Sequence, residues 1–193
     1  MYKNLKIILD KIIYKYLTSK LLEDDKYLVT ISDTSQLDSF ITQVINKKKF
    51  ESHHQFDSFN EEKRWRTGFG GEMALEKFLN KKFVDLSIGN SNDYHVPDLS
   101  KLGLNVGIKT VEIGKYPIIF KRSNKPEIII LKINDNTFNI CGLASVDVLN
   151  TYQDDDQILS PSLKARGTKT GFVGLYKLKR FSNFDELRTH IFT

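Results

Sequence analysis

A chain of 193 residues with 40% hydrophobic and 27% charged residues can bury one sizeable core, and no stretch approaches a membrane span of about 18 apolar residues. Its single cysteine, Cys141, excludes an internal disulfide and a thiolate metal cluster and fits a reducing, cytoplasmic setting. The net charge of +5 is uneven: between Ile158 and Phe184 there is no acid, while Lys164, Arg166, Lys169, Lys177, Lys179 and Arg180 are basic. Such a stretch suits a polyanion, and it equally describes a solvated face.

The amino terminus, Met1-Tyr2-Lys3-Asn4-Leu5, mixes charge with apolar residues and offers no small-residue cleavage site, against the pattern of a signal peptide. Ile8, Leu9, Ile12, Ile13, Tyr16 and Leu17 recur at helical spacing and predict an amphipathic helix over 5–22. Residues 26–32 read as a short strand. Asp33-Thr34-Ser35 then starts a second helix through Leu37, Phe40, Ile41, Val44 and Ile45, closed by Lys47-Lys48-Lys49. The segment 51–59 is polar and irregular, and its His53-His54 pair would point opposite ways in a strand. A third helical stretch, 60–66, is broken at Gly68-Phe69-Gly70-Gly71, and 72–79 resumes as a strong helix. There Glu72, Leu75 and Leu79 share one face, so Glu72 sits at the edge that should enter the core. An acid in that position needs a partner or a metal, unless it is simply a first-turn glutamate favoured by the helix dipole.

Residues 83–86 read as a strand, followed by a loop rich in Gly, Asn and Ser over 89–93. Next comes Tyr94-His95-Val96-Pro97-Asp98, an aspartate at the expected mouth of a hairpin, and then the strand-like Val106-Gly107-Ile108-Lys109-Thr110. A lysine within an apolar run either snorkels to solvent or serves a site. Further strands are expected at 118–120, 127–131 and 137–143, the last two a hairpin around Asn134-Asp135-Asn136. Cys141 in the last of these reads as a packed core thiol. A short helix over 144–149, a strand over 171–176 and a closing helix over 183–191 complete the chain. The order indicates an α/β (α+β) fold, a central mixed sheet flanked by helices. Residues 1–60 would form a mostly helical extension on a core of 61–193, unless the whole chain is one continuous domain.

The chemistry-bearing residues are Glu72, Asp98 and Lys109. Two carboxylates suit a hard divalent cation, which prefers oxygen ligands and keeps several waters. A lysine beside them could orient a water or stabilise developing phosphorane charge. Pro97-Asp98 with Gly107-Ile108-Lys109, preceded by Gly70-Gly71-Glu72-Met73-Ala74-Leu75, resembles the PD-(D/E)XK nuclease superfamily with its restriction-endonuclease-like fold. The resemblance covers about residues 66–149. It implies that Asp98 and Glu72 bind Mg²⁺ (or Mn²⁺), joined by the backbone carbonyl of Ile108, and that Asp98, Glu72 and Lys109 are catalytic. The chain departs from the pattern at Gly107, where an aspartate or glutamate is expected. Either Glu72 takes over that role from the helix, or the site is degenerate. Glu112, three residues past Lys109, would face the other side of a regular strand.

Lys115, Lys121, Arg122 and Lys125 follow the lysine strand and could grip phosphates, as could Lys164, Arg166 and Lys169 in a glycine-bearing loop. Tyr94 and His95 would border the scissile phosphate. The expectation is a Mg²⁺-dependent DNA endonuclease most like a type II restriction enzyme, acting as a homodimer because one such site cuts one strand. Its rivals are a non-catalytic DNA-binding or assembly module with a degenerate nuclease fold, and a nuclease specific for junctions or flaps.

Overall fold

The computed structural model describes residues 2–50, 58–86, 96–158 and 160–192, so His53, His54, Tyr94 and His95 lie outside the described residues. The chain is a mixed α/β protein. Helix α1 spans Tyr2–Leu22, strand β1 Leu28–Thr30, α2 Ser35–Phe50 and α3 Ser58–Leu79. Strands β2 (Gly107–Glu112), β3 (Ile118–Phe120), β4 (Glu127–Lys132) and β5 (Thr137–Ala144) follow. Then come α4 (Val146–Thr151), β6 (Gln153–Asp154), α5 (Pro161–Ala165), β7 (Lys169–Phe172) and α6 (Phe184–Phe192).

The main sheet runs β1-β5-β4-β2, antiparallel except for the parallel pair β4–β2. Strand β4, Glu-Ile-Ile-Ile-Leu-Lys, is buried along its whole length, which explains why it reads as a continuous apolar run. On one face Ile108, Ile128 and Ile130 meet Ala74, Leu75 and Leu79 of α3 and Leu187 of α6. On the other, Ile129 and Leu131 meet Tyr14 of α1 and Ile119 and Phe172 of a second sheet, ordered β3-β7-β6. Helix α2 lies outside α3, with Leu37, Phe40, Ile41 and Val44 against Trp65 and Phe69. The β4–β5 hairpin turns where expected: the Asn134 side chain accepts from the Asn136 and Thr137 N–H groups. Cys141 is fully buried. No helix among the described residues is long and apolar enough to cross a membrane.

Helix α3 differs from expectation, because it runs unbroken through Gly68, Gly70 and Gly71. A helical glycine costs about 1 kcal/mol relative to alanine. Close packing is what requires it here. A β-carbon at Gly70 would come within 2.6 Å of the Phe138 ring, and one at Gly71 within 1.9 Å of the Thr110 hydroxyl. The glycines therefore bring the helix onto β5 and β2 instead of breaking it. Residues 83–86 form no strand: Phe83 enters the core, and the Val84 N–H donates to the Glu76 side chain rather than to a ladder. The first strand is only three residues long. Strand β7 ends at Phe172, and Leu175–Lys177 is a 3-10 turn.

Candidate functional site

Among the described residues, strand β2 is an outer strand of the main sheet, paired with β4 on one side. Pro97 and Asp98 do not open a hairpin; they lead into a compact turn that includes the 3-10 helix Ser100–Leu102. The Ser100 N–H donates to the Pro97 carbonyl, and Leu99 and Leu104 close the turn by donating to the carbonyls of Val106 and Leu99. This folds Asp98 back along β2, where its Oδ2 accepts the Ile108 N–H at 2.5 Å. The Gly107 N–H is given to the Pro126 carbonyl. Alternation along a parallel ladder therefore turns the peptide groups of Ile108, its carbonyl included, toward the open edge.

Glu72 is set beside this edge by the close packing of α3. Burial pushes its carboxyl up to about 8; the Asp98 charge adds to the rise, and the Lys109 charge opposes it. Glu72 thus feels both other residues singled out from the sequence. Lys109 projects from β2 with its side chain 33% exposed, its Nζ 4.0 Å from Oε1 of Glu127. Among the DNA-contact candidates, Lys169 on β7 also reaches this neighbourhood. Burial and the Lys109 charge lower its pKa to about 8, partly offset by Glu127, and its Nζ stands 2.9 Å from the centre of the Phe120 ring.

Glu127 is not among the candidate residues of the sequence, yet it belongs to this neighbourhood. It opens β4 in register with Gly107, and its side chain is only 5% exposed. Burial raises its pKa; Lys109, Lys125 and Lys169 pull it down, and Asp98 raises it further. Its Oε2 is buried without a hydrogen-bond partner. A β-carbon built on Gly107 would lie 3.3 Å from Cε of Lys125, 3.4 Å from Cγ of Glu127 and 3.5 Å from Oδ2 of Asp98. The signal that could have found it is an acid heading a strand otherwise reserved for the core, the same anomaly that marks Lys109.

The remaining candidates lie elsewhere. Glu112 is held by Lys63 at 2.7 Å and Lys115 at 2.5 Å, so Lys115 is committed to an ion pair. Lys121 pairs with Asp155 and Lys164 with Asp156, so the acidic run before the basic stretch neutralises part of it. Arg122 and Arg166 are exposed. A cavity of about 600 Å³ near Asp33, Gln36, Met73 and Lys81 contains none of the site residues. The candidate residues sit at a sheet edge, with Asp98 exposed, instead of in that cavity.

Among the described residues no three His, Cys, Asp or Glu side chains are spaced to hold one ion. The donor set does fit a hard cation that keeps most of its waters, since two carboxylates suffice for that. A buried carboxylate oxygen without a partner is costly until a cation, a donor or a proton meets it. No family model, curated protein or solved structure matches the chain.

Proposed function

We propose that the chain is a Mg²⁺-dependent DNA endonuclease with a restriction-endonuclease-like fold, acting as a homodimer. The observation that carries this reading is the placement of Asp98 against β2, its Oδ2 on the Ile108 N–H, next to Lys109, whose Nζ lies 4.0 Å from the buried Glu127; burial and the Asp98 charge push the Glu72 carboxyl of α3 up beside them. An accessible edge lined by acids and lysines suits a polyanionic chain better than a small molecule. Asp98, Glu72 and the Ile108 carbonyl would hold the metal, which when bound supplies positive charge to a phosphodiester and acidifies a water. Lys109 orients that water or receives the charge developing on the phosphate oxygens. With its carboxyl pushed up to about 8 by burial, Glu72 holds a proton at neutral pH and would have to lose it to serve as a ligand. Lys125 and Lys169 supply positive charge beside the edge, and Arg122 and Arg166 remain candidates for backbone contact.

Plasmid DNA with Mg²⁺ is expected to be nicked and linearised by the parent. Asp98→Asn and Lys109→Met should lower the rate by at least about 100-fold, as removal of a preorganised electrostatic group does. Equal cutting by these variants sinks the proposal. The second reading, a non-catalytic DNA-binding module, is favoured by Gly107, which stands where the resemblance calls for an acid. It predicts tight, salt-sensitive binding with no cleavage under Mg²⁺ or Mn²⁺.

A further inference from the structure

Gly107 stands where the resemblance calls for an acid, and the ladder opposite supplies one. In a parallel pair, residues in register project their side chains to the same face of the sheet. Gly107 is in register with Glu127, and Lys109 lies two residues on, on that same face. The Glu127 arm already crosses the strand spacing: its Cγ lies 3.4 Å from where a Gly107 β-carbon would be, and Asp98 Oδ2 lies 3.5 Å from that same point. A side chain at position 107 would crowd the volume Glu127 uses, so the glycine and the glutamate form a matched pair. The Oε1 atom faces Lys109 at 4.0 Å, while Oε2 is buried with nothing to bond.

We propose that Glu127 is the second metal-binding carboxylate of this site, delivered across the β2–β4 ladder in place of an acid at position 107, with Asp98 as its partner and a divalent cation as the ligand. This rests on the nuclease reading above, but it is narrower. A purely structural glutamate would be expected to complete its hydrogen bonds inside the protein. An exposed acid would need none. Glu127 does neither: its Oε2 is buried without a partner, its Oε1 lies 4.0 Å from Lys109, and its Cγ and the Asp98 Oδ2 flank the space in front of Gly107. Glu72, on α3, is a half-buried acid of the same neighbourhood, where it feels the charges of Asp98 and Lys109.

The test uses the full chain and Mn²⁺ as the probe, followed by calorimetry and by paramagnetic resonance of free Mn²⁺. Glu127→Gln should weaken Mn²⁺ binding by at least tenfold while raising the melting temperature of the metal-free protein, because a buried carboxylate whose burial outweighs the nearby lysines, with one oxygen unbonded, is replaced by a neutral amide. A structural role predicts a lower melting temperature with binding unchanged. The double variant Gly107→Asp/Glu127→Ala, which moves the acid back across the ladder, should regain binding to within a few-fold of the parent. If the parent binds Mn²⁺ and Glu127→Gln binds it within twofold, the inference falls and the nuclease reading stands. If the parent binds no Mn²⁺ at millimolar concentration, both fall.

Discussion

A carboxyl held near a pKa of 8 keeps its proton at neutral pH, and Glu72 is such a group. Between the ordinary value of 4.5 and about 8, the folded chain retains a proton at Glu72 that the unfolded chain has released. Stability contributed in this way is complete below the unfolded value, falls as pH rises through the window, and levels off above about 8. Glu72→Gln should lack that slope and melt above the parent at pH 9, each kcal/mol recovered being worth about 2–4 °C in a chain of this size. Parallel melting curves across pH 5–9 for the two proteins would refute the assignment. Asp98, Lys109 and Glu72 are legible in the sequence because each is a charged residue at the margin of an apolar pattern. Glu127 is marked the same way, as an acid heading an apolar strand, but its link to Gly107 depends on a register across a strand pair distant in sequence, which no local periodicity specifies.

At the scale of elements, the contact between α3 and β2 decides whether the site exists. Gly71→Ala would drive a methyl group into the Thr110 hydroxyl at 1.9 Å. Helix and strand must then separate, at an expected cost of about 1–3 kcal/mol despite alanine's better helix propensity. Urea denaturation should show that cost, and the shift of Glu72 away from β2 should bring its pKa closer to 4.5. A stability gain from Gly71→Ala would mean that the helix does not press on β2 as described. In the sequence the glycine cluster reads as an interruption because glycine does break isolated helices. Its actual cause, backbone proximity to a sheet, emerges only with packing. Residues 83–86 mislead similarly: their apolar and β-branched content suits a strand, but the acceptor that captures the Val84 N–H is the Glu76 side chain.

Across the whole molecule, the charge is less available than its sequence suggests. Asp155 and Asp156 occupy Lys121 and Lys164, and Glu112 occupies Lys63 and Lys115. If DNA is the partner, Arg166→Ala and Lys125→Ala should each reduce the slope of log affinity against log salt by about 0.9 for each phosphate that is no longer neutralised. Lys121→Ala and Lys164→Ala should change it less, since removing either also frees an aspartate. Fluorescence anisotropy over a salt series separates the two groups, and equal effects would overturn the ranking. The broad architecture, a mixed sheet between helices with an apolar β4 at its centre, follows from hydrophobic runs alone. Pairing order does not, since β1, near the amino terminus, adds to the sheet beside β5 rather than beside its neighbour in sequence.

The hydrogen bond from the Ile108 N–H to Asp98 also concerns how copies of the chain avoid one another. An outer strand presents donors and acceptors that can recruit another strand, and β2 would begin with such an open row if Asp98 did not lie across it. The carboxylate proposed to hold a cation therefore also plugs the start of a sticky edge. Removing it uncovers the Ile108 donor at the margin of an otherwise apolar core. Substitution at Asp98 accordingly bears on solubility as well as chemistry, and asparagine, which keeps a side-chain oxygen for that donor, is the replacement that separates the two.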